Sequence, residues 1–121
     1  MISEYKFLKT KKGKTYFAKI KLSTISDEVT EIQWPEYLND IKKFYFKEVE
    51  DGIKYAFSIY RQRENKHICI EIKEVVVSNV DTTPEVVYCT AFIATWKALG
   101  GNENEIEIIY DDKKLWHPKI K

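Results

Sequence analysis

Thr15-Tyr16-Phe17-Ala18-Lys19-Ile20-Lys21-Leu22-Ser23 is the stretch that decides the fold. Tyr16, Ala18, Ile20 and Leu22 recur at every second position, with Lys19 and Lys21 between them. A period of two sends alternate side chains to opposite faces of an extended chain, so the segment reads as a strand with one buried face. Upstream, residues 2–9 carry Tyr5 and Phe7 in the same alternation, and Lys9 to Lys14 (KTKKGK) reads as the intervening turn. Gly13 accepts a positive φ, so the two strands form a hairpin. Downstream, Glu28–Trp34 reads as a third strand, ended by Pro35.

The period then changes. Val49, Gly52, Ile53, Ala56, Phe57 and Tyr60 form one apolar stripe at helical spacing, with Glu48, Glu50, Asp51 and Lys54 off it. Between Glu36 and Phe46 the apolar residues have no clean period, which leaves open an earlier helix start or an ordered loop. His67–Val77 is again a strand, with Ile68, Ile70 and Ile72 on one parity and Val75 and Val77 on the other. The switch at Lys73–Glu74 predicts a bulge or a strong twist. Thr83 fits a helix N-cap, Pro84 the first helical position and Glu85 the first turn. The helix Glu85–Leu99 is apolar on nearly every side, so it is buried, and Gly100-Gly101 stops it. Glu105–Tyr110 alternates as a last strand, and Asp111–Lys121 has no period. The order β-β-β-α-β-α-β predicts an α+β two-layer sandwich, with both helices on one face of a mostly antiparallel sheet.

A chain of 121 residues with 44% apolar residues suffices for one domain with a real core. Its 20 Lys+Arg against 19 Asp+Glu give no global case for nucleic acid or membrane. The distribution does more. Residues 1–22 hold seven Lys and one Glu, a local excess of +6, and the remainder carries −5. Nothing reaches the roughly 18 apolar residues of a membrane span, and the charged start Met1-Ile2-Ser3-Glu4-Tyr5-Lys6 is unlike a signal peptide. The expected location is cytoplasmic. Cys69 and Cys89 both sit in apolar segments and read as buried, inert thiols; spacing alone leaves a bridge between them open.

The stretch from Tyr5 to Leu99 resembles domain IV of translation elongation factor G. The resemblance rests on the opening strand with Tyr5, the turn at Gly13 and the return strand. It rests also on Val49-Glu50-Asp51-Gly52-Ile53 in a helix, the loop Ser78-Asn79-Val80-Asp81-Thr82-Thr83, and Ala91-Phe92-Ile93-Ala94 in the helix after it. It implies a left-handed β-α-β crossover, also found in the second domain of a small-subunit ribosomal protein. It further implies that loops 10–14 and 78–83 form the working tip, which in those factors reaches the decoding site. By the same resemblance residues 1–101 are the domain IV-like part, and 102–121 are an extra strand and tail of the same domain. The turn here departs from the family in carrying Lys11-Lys12-Gly13-Lys14, and Ser78 and Asn79 replace its His-Pro. No Gly-x-x-x-x-Gly-Lys-Ser/Thr occurs, so the chain is no GTP-driven translocase.

The candidate partner-binding residues are therefore Lys11, Lys12, Lys14, Asn79, Asp81, Thr82 and Trp116. Lysines on a hairpin tip are point charges suited to phosphate; the plainer reading is a solvated turn. Asp81 and Thr82 also suit local backbone hydrogen bonding. Lys42-Lys43-Phe44-Tyr45-Phe46-Lys47 interleaves charge with stacking surface, or places a helix whose aromatics cover the sheet. Trp34 and Trp96 are expected in the core. Trp116 is either an exposed interface residue or a tail packed back on the domain. His67 and His117 have no metal-ligand spacing to Cys or to each other, and a Cys89–His67 dyad needs an exposed thiol that an apolar helix does not provide. No nucleotide or other cofactor is expected. The expectation is a non-enzymatic binding module, with RNA or the ribosome as candidate partner. The alternative is an immunity-type or regulatory protein that binds a protein partner through the acidic 103–112 segment and the aromatic tail.

Overall fold

A computed structural model describes residues 2–26, 31–61 and 68–121. Strands β1 (Ile2–Lys11) and β2 (Lys14–Ser26) form the hairpin, followed by the short β3 (Glu31–Gln33). A 3₁₀ turn at Glu36–Leu38 leads into α1 (Asn39–Arg61), then β4 (Ile68–Val77) and α2 (Pro84–Ala98). A second 3₁₀ turn, Glu103–Glu105, precedes β5 (Ile106–Tyr110) and β6 (Trp116–Ile120). The fold is α+β: a four-stranded mixed sheet in the order β1-β2-β4-β3, two helices, and a separate two-stranded β5-β6 sheet. β3 runs parallel to β4, and the other neighbours are antiparallel.

The register explains the layers. Tyr5 lies opposite Ile20, which lies opposite Val75; Ser3, Leu22 and Ile72 form the next rung. These residues share one face, which α1 and α2 cover. Phe7, Ala18, Ile20, Leu22, Ile70, Ile72 and Val75 join Val49, Ile53 and Phe57 of α1 and Val86, Val87, Ala91 and Ala94 of α2 in one core. The opposite face holds Lys19, paired with Glu74 at 3.1 Å and Glu4 at 3.7 Å. Those carboxylates, the Glu74 hydrogen bond first, raise the Lys19 pKa. The expected parity switch in β4 is a bulge: Lys21 pairs with Glu74 and Leu22 with Ile72, leaving Lys73 as the extra residue.

Burial on nearly every side of α2 agrees with its composition. Even Thr90 and Thr95 are buried, their hydroxyls donating to the carbonyls of Val86 and Ala91 four residues back. Trp96 is fully buried and its indole N–H donates to the Asn102 carbonyl at 3.1 Å. Trp34 is only half-buried: it stacks on Phe46 and donates to Glu50 at 3.0 Å.

Four expectations change. The turn expected over Lys9–Lys14 is only Lys12-Gly13, because pairing runs out to Lys11 opposite Lys14. α1 begins at Asn39, and its early aromatics divide. Tyr45 packs on the core, whereas Phe44 and Phe46 are exposed, so they do not cover the sheet. The tail contains β6, paired antiparallel with β5, giving an order with one more strand than expected. Trp116 is buried rather than an exposed interface residue, packing edge-on against Phe7 at 5.4 Å and Tyr16 at 5.5 Å. Its ring fills the end of the core beside β1 and β2, which ties residues 102–121 to the domain. Of the expected third strand, Glu28–Thr30 lies outside the described residues, as does His67. Among the described residues, no helix is long and apolar enough to cross a membrane.

Candidate functional site

Lys12 has φ 53° and Gly13 φ 79°. Positive φ at both central residues is the type I′ turn, whose twist matches that of the flanking strands. The turn therefore continues a paired ladder, and it carries Lys11, Lys12 and Lys14 exposed on a regular hairpin. The 78–83 loop is bound to the same hairpin. The Phe17 amide donates to the Asp81 carbonyl at 3.0 Å, and the Thr82 hydroxyl donates to the Phe17 carbonyl at 2.6 Å. The Thr82 oxygen also accepts from the Ser78 amide at 2.7 Å. Ser78 Oγ accepts from the amides of Val80 and Asp81.

These bonds sort the candidate residues. Thr82 spends its hydroxyl on the scaffold and positions the loop rather than facing a ligand. Asp81 contributes its backbone to the hairpin and leaves its side chain half-exposed. Asn79 is exposed beside Val80, which is 81% exposed. Trp116 is separated from the surface but lies under the site, against Tyr16 and Tyr110.

The structure brings in residues that the sequence pattern does not reveal. A cleft of about 510 Å³ is lined by Lys11, Lys12, Lys14, Tyr16, Thr83 and Tyr110, together with Pro84, Glu85, Lys114 and Leu115. Lys114 stands at the β5–β6 turn with φ 64°, in a loop held by Asp111. The Asp111 carboxylate accepts from the amides of Lys113 and Leu115 at 2.9 and 3.0 Å. Thr83 occupies the expected N-cap of α2, but its side chain makes no capping bond, and its hydroxyl is buried without a partner. Tyr16 and Tyr110 hydroxyls lie 3.4 Å apart. That hydrogen bond, then burial, raises the Tyr110 pKa, while Lys12 and Lys114 pull it down.

Unpaired lysines gather at this end. Lys43, Lys47, Lys54, Lys73 and Lys97 each lie within 4.0 Å of a carboxylate, as Lys19 does. Among the described residues, Lys11, Lys12, Lys14 and Lys114 form no ion pair. Lys11 lies over the Tyr110 ring and Lys14 over the Tyr16 ring, at 5.8 and 5.1 Å. Aromatic faces hold a cation without cancelling its charge.

The acidic 103–112 segment is differently occupied. Glu105 accepts from the Asn102 amide in a capping box, Glu103 lies 3.7 Å from Lys97, and Asp111 holds its own turn. Glu107 faces Lys119 across the β5–β6 pair. Glu107 and Asp112 are exposed. Cys69 and Cys89 are buried and unbridged. Burial, with Glu85 adding, pushes the Cys89 thiol up to about 12, which keeps it protonated at neutral pH. No cluster of three metal-ligating side chains occurs among the described residues.

No protein-family profile matches this chain, and no curated protein matches it. Among solved structures, it is similar to the Thermus thermophilus protein ttk003000868, with a TM-score of 0.64 and 17% identity. The match covers 79% of this chain and 15% of that one, so the chain spans a small part of its length. At that identity the likeness is one of fold.

Proposed function

We propose that this protein is a non-enzymatic RNA-binding module, acting on RNA or the ribosome through the tip formed by loops 10–14 and 78–83. The observation that carries the reading is the clustering of unpaired lysines at one end. Lys11, Lys12 and Lys14 fall within four residues on a regular hairpin, Lys114 lines the same cleft, and none of the four is matched to a carboxylate among the described residues. Unpaired ammonium groups on a rigid projection bind phosphate by releasing counterions, with little ordering of the protein. The resemblance to elongation factor G domain IV supports the same end of the molecule, and the left-handed crossover it implies belongs to this proposal, as does a cytoplasmic site of action.

The test is co-sedimentation with ribosomes and gel-shift with bulk RNA at low salt. Binding by the wild type that is lost in Lys11→Glu/Lys12→Glu/Lys14→Glu supports the proposal. Absence of binding to both by the wild type overturns it. The protein-partner alternative would use the 103–112 segment, where Glu103, Glu105 and Asp111 serve local bonds and Glu107 and Asp112 are exposed.

A further inference from the structure

We infer that the cleft between the β1–β2 turn, the β5–β6 turn and the start of α2 seats one phosphate group of the bound RNA strand, with Lys114 and the Thr83 hydroxyl completing the lysines of the hairpin. The inference rests on the RNA-binding reading and deepens it: the C-terminal hairpin becomes part of the site.

Three observations converge. Four lysines and one glutamate line the cleft, a net charge of +3. The glutamate, Glu85, accepts from the Trp116 amide at 3.4 Å, which gives its carboxylate a partner on the wall. Lys12 and Lys114, 102 residues apart in sequence, line the same cleft as Tyr110, so the two turns face one space. The third observation is Thr83, a residue of the cleft wall whose buried hydroxyl has no partner in the protein. A buried hydroxyl is ordinarily satisfied, and a phosphate oxygen accepts its hydrogen. The start of α2 supplies less than a helix N-terminus commonly does, because Pro84 has no N–H. The site is therefore one of ammonium groups and hydroxyls.

The volume suits this occupant. About 510 Å³ is on the order of fifteen water volumes, room for a phosphate with its flanking sugars. Both turns are fixed by their own chemistry: positive φ at Lys12 and Gly13 in one, the Asp111 bonds and positive φ at Lys114 in the other.

The test uses the full chain and two probes. Pyrophosphate is titrated into ¹⁵N-labelled protein, and a 12-nucleotide single-stranded RNA is followed by fluorescence anisotropy. Pyrophosphate is expected to shift the amides of Lys12, Gly13, Thr83, Glu85 and Lys114 together. Lys114→Glu removes one phosphate contact, so RNA affinity at 0.1 M salt falls about fivefold and the salt slope by about 0.7. Lys43→Glu, on exposed α1, makes the same change in net charge and is expected to leave both unchanged. Thr83→Val, checked for folding by circular dichroism, is expected to weaken pyrophosphate binding while sparing the turn. If Lys114→Glu matches Lys43→Glu and shifts stay on Lys12-Gly13, the cleft is overturned and the RNA-binding tip stands. If the wild type binds no RNA but pyrophosphate shifts the full set, the RNA reading fails and the cleft remains a phosphate site. If neither probe acts, both fail.

Discussion

Replacing Gly52 by alanine sets two physical effects against each other. Gly52 lies within α1, where alanine is favoured over glycine by about 1 kcal/mol from helix propensity alone. Packing points the other way. A Cβ at Gly52 would lie 2.5 Å from the Tyr88 carbonyl oxygen, 3.0 Å from Ala91 Cβ and 3.1 Å from the Phe92 amide nitrogen. Two of those three atoms are backbone of α2, so no side-chain rotation relieves the contact. Non-bonded atoms rest at about 3.5 Å, and opening the helices by about 1 Å forfeits a quarter to a half of each displaced dispersion contact. Overpacking costs about 1–3 kcal/mol, and a backbone clash belongs at the upper end. The net expectation is a loss of about 2 kcal/mol, or about 8 °C in Tm for a domain of this size. Urea unfolding followed by tryptophan fluorescence and circular dichroism measures it. If Gly52→Ala is as stable as the wild type or more so, the close α1–α2 approach at this residue is wrong.

Other outcomes follow from the same contacts. Trp116→Ala removes a buried ring packed on Phe7, Tyr16 and Tyr110, and is expected to cost about 3–5 kcal/mol in urea unfolding; a loss below about 1 kcal/mol would mean that the tail does not complete the core. Gly13→Ala meets no neighbouring atom but must hold φ 79°, so it is expected to cost about 1 kcal/mol through the backbone alone. The Cys89 thiol, raised to about 12 in the folded protein, keeps its proton where the unfolded thiol loses it. Stability from this group is thus full below the unfolded pKa and declines as pH rises towards 12, by about 1.4 kcal/mol per pH unit. Urea midpoints between pH 9 and 10 are expected to fall more steeply in the wild type than in Cys89→Ala, which shares every tyrosine.

Much of the fold is legible because its signals are local. Tyr16, Ala18, Ile20 and Leu22 announce their strand, and the parity change after Ile72 announces the bulge at Lys73, since a strand with one buried face must answer to a period of two. The start of α1 is less legible. Phe44 and Phe46 are exposed and Trp34 is only half-buried, so the apolar positions there do not mark one face. β6 escapes notice for a similar reason: five residues include Pro118, and its pairing is defined only by β5. At the site, the lysines of the first hairpin stand out as a block. Lys114 does not, because Asp111-Asp112 precede it and cancel its segment's charge. Thr83 has the right residue type for a cap, and only three-dimensional contacts reveal that its hydroxyl is unspent. Convergence of positions 12, 83 and 114 is set by tertiary packing, which no spacing in the chain encodes.

The central claim is that unpaired lysines on the hairpin tip bind RNA. The most direct measurement is the salt dependence of affinity for single-stranded RNA, wild type against Lys11→Glu/Lys12→Glu/Lys14→Glu, from about 0.05 to 0.2 M salt. Three lost phosphate contacts at about 0.7 each predict a slope shallower by about 2, with affinity at 0.1 M salt reduced by about two orders of magnitude. A variant whose binding curves overlay those of the wild type would contradict the claim.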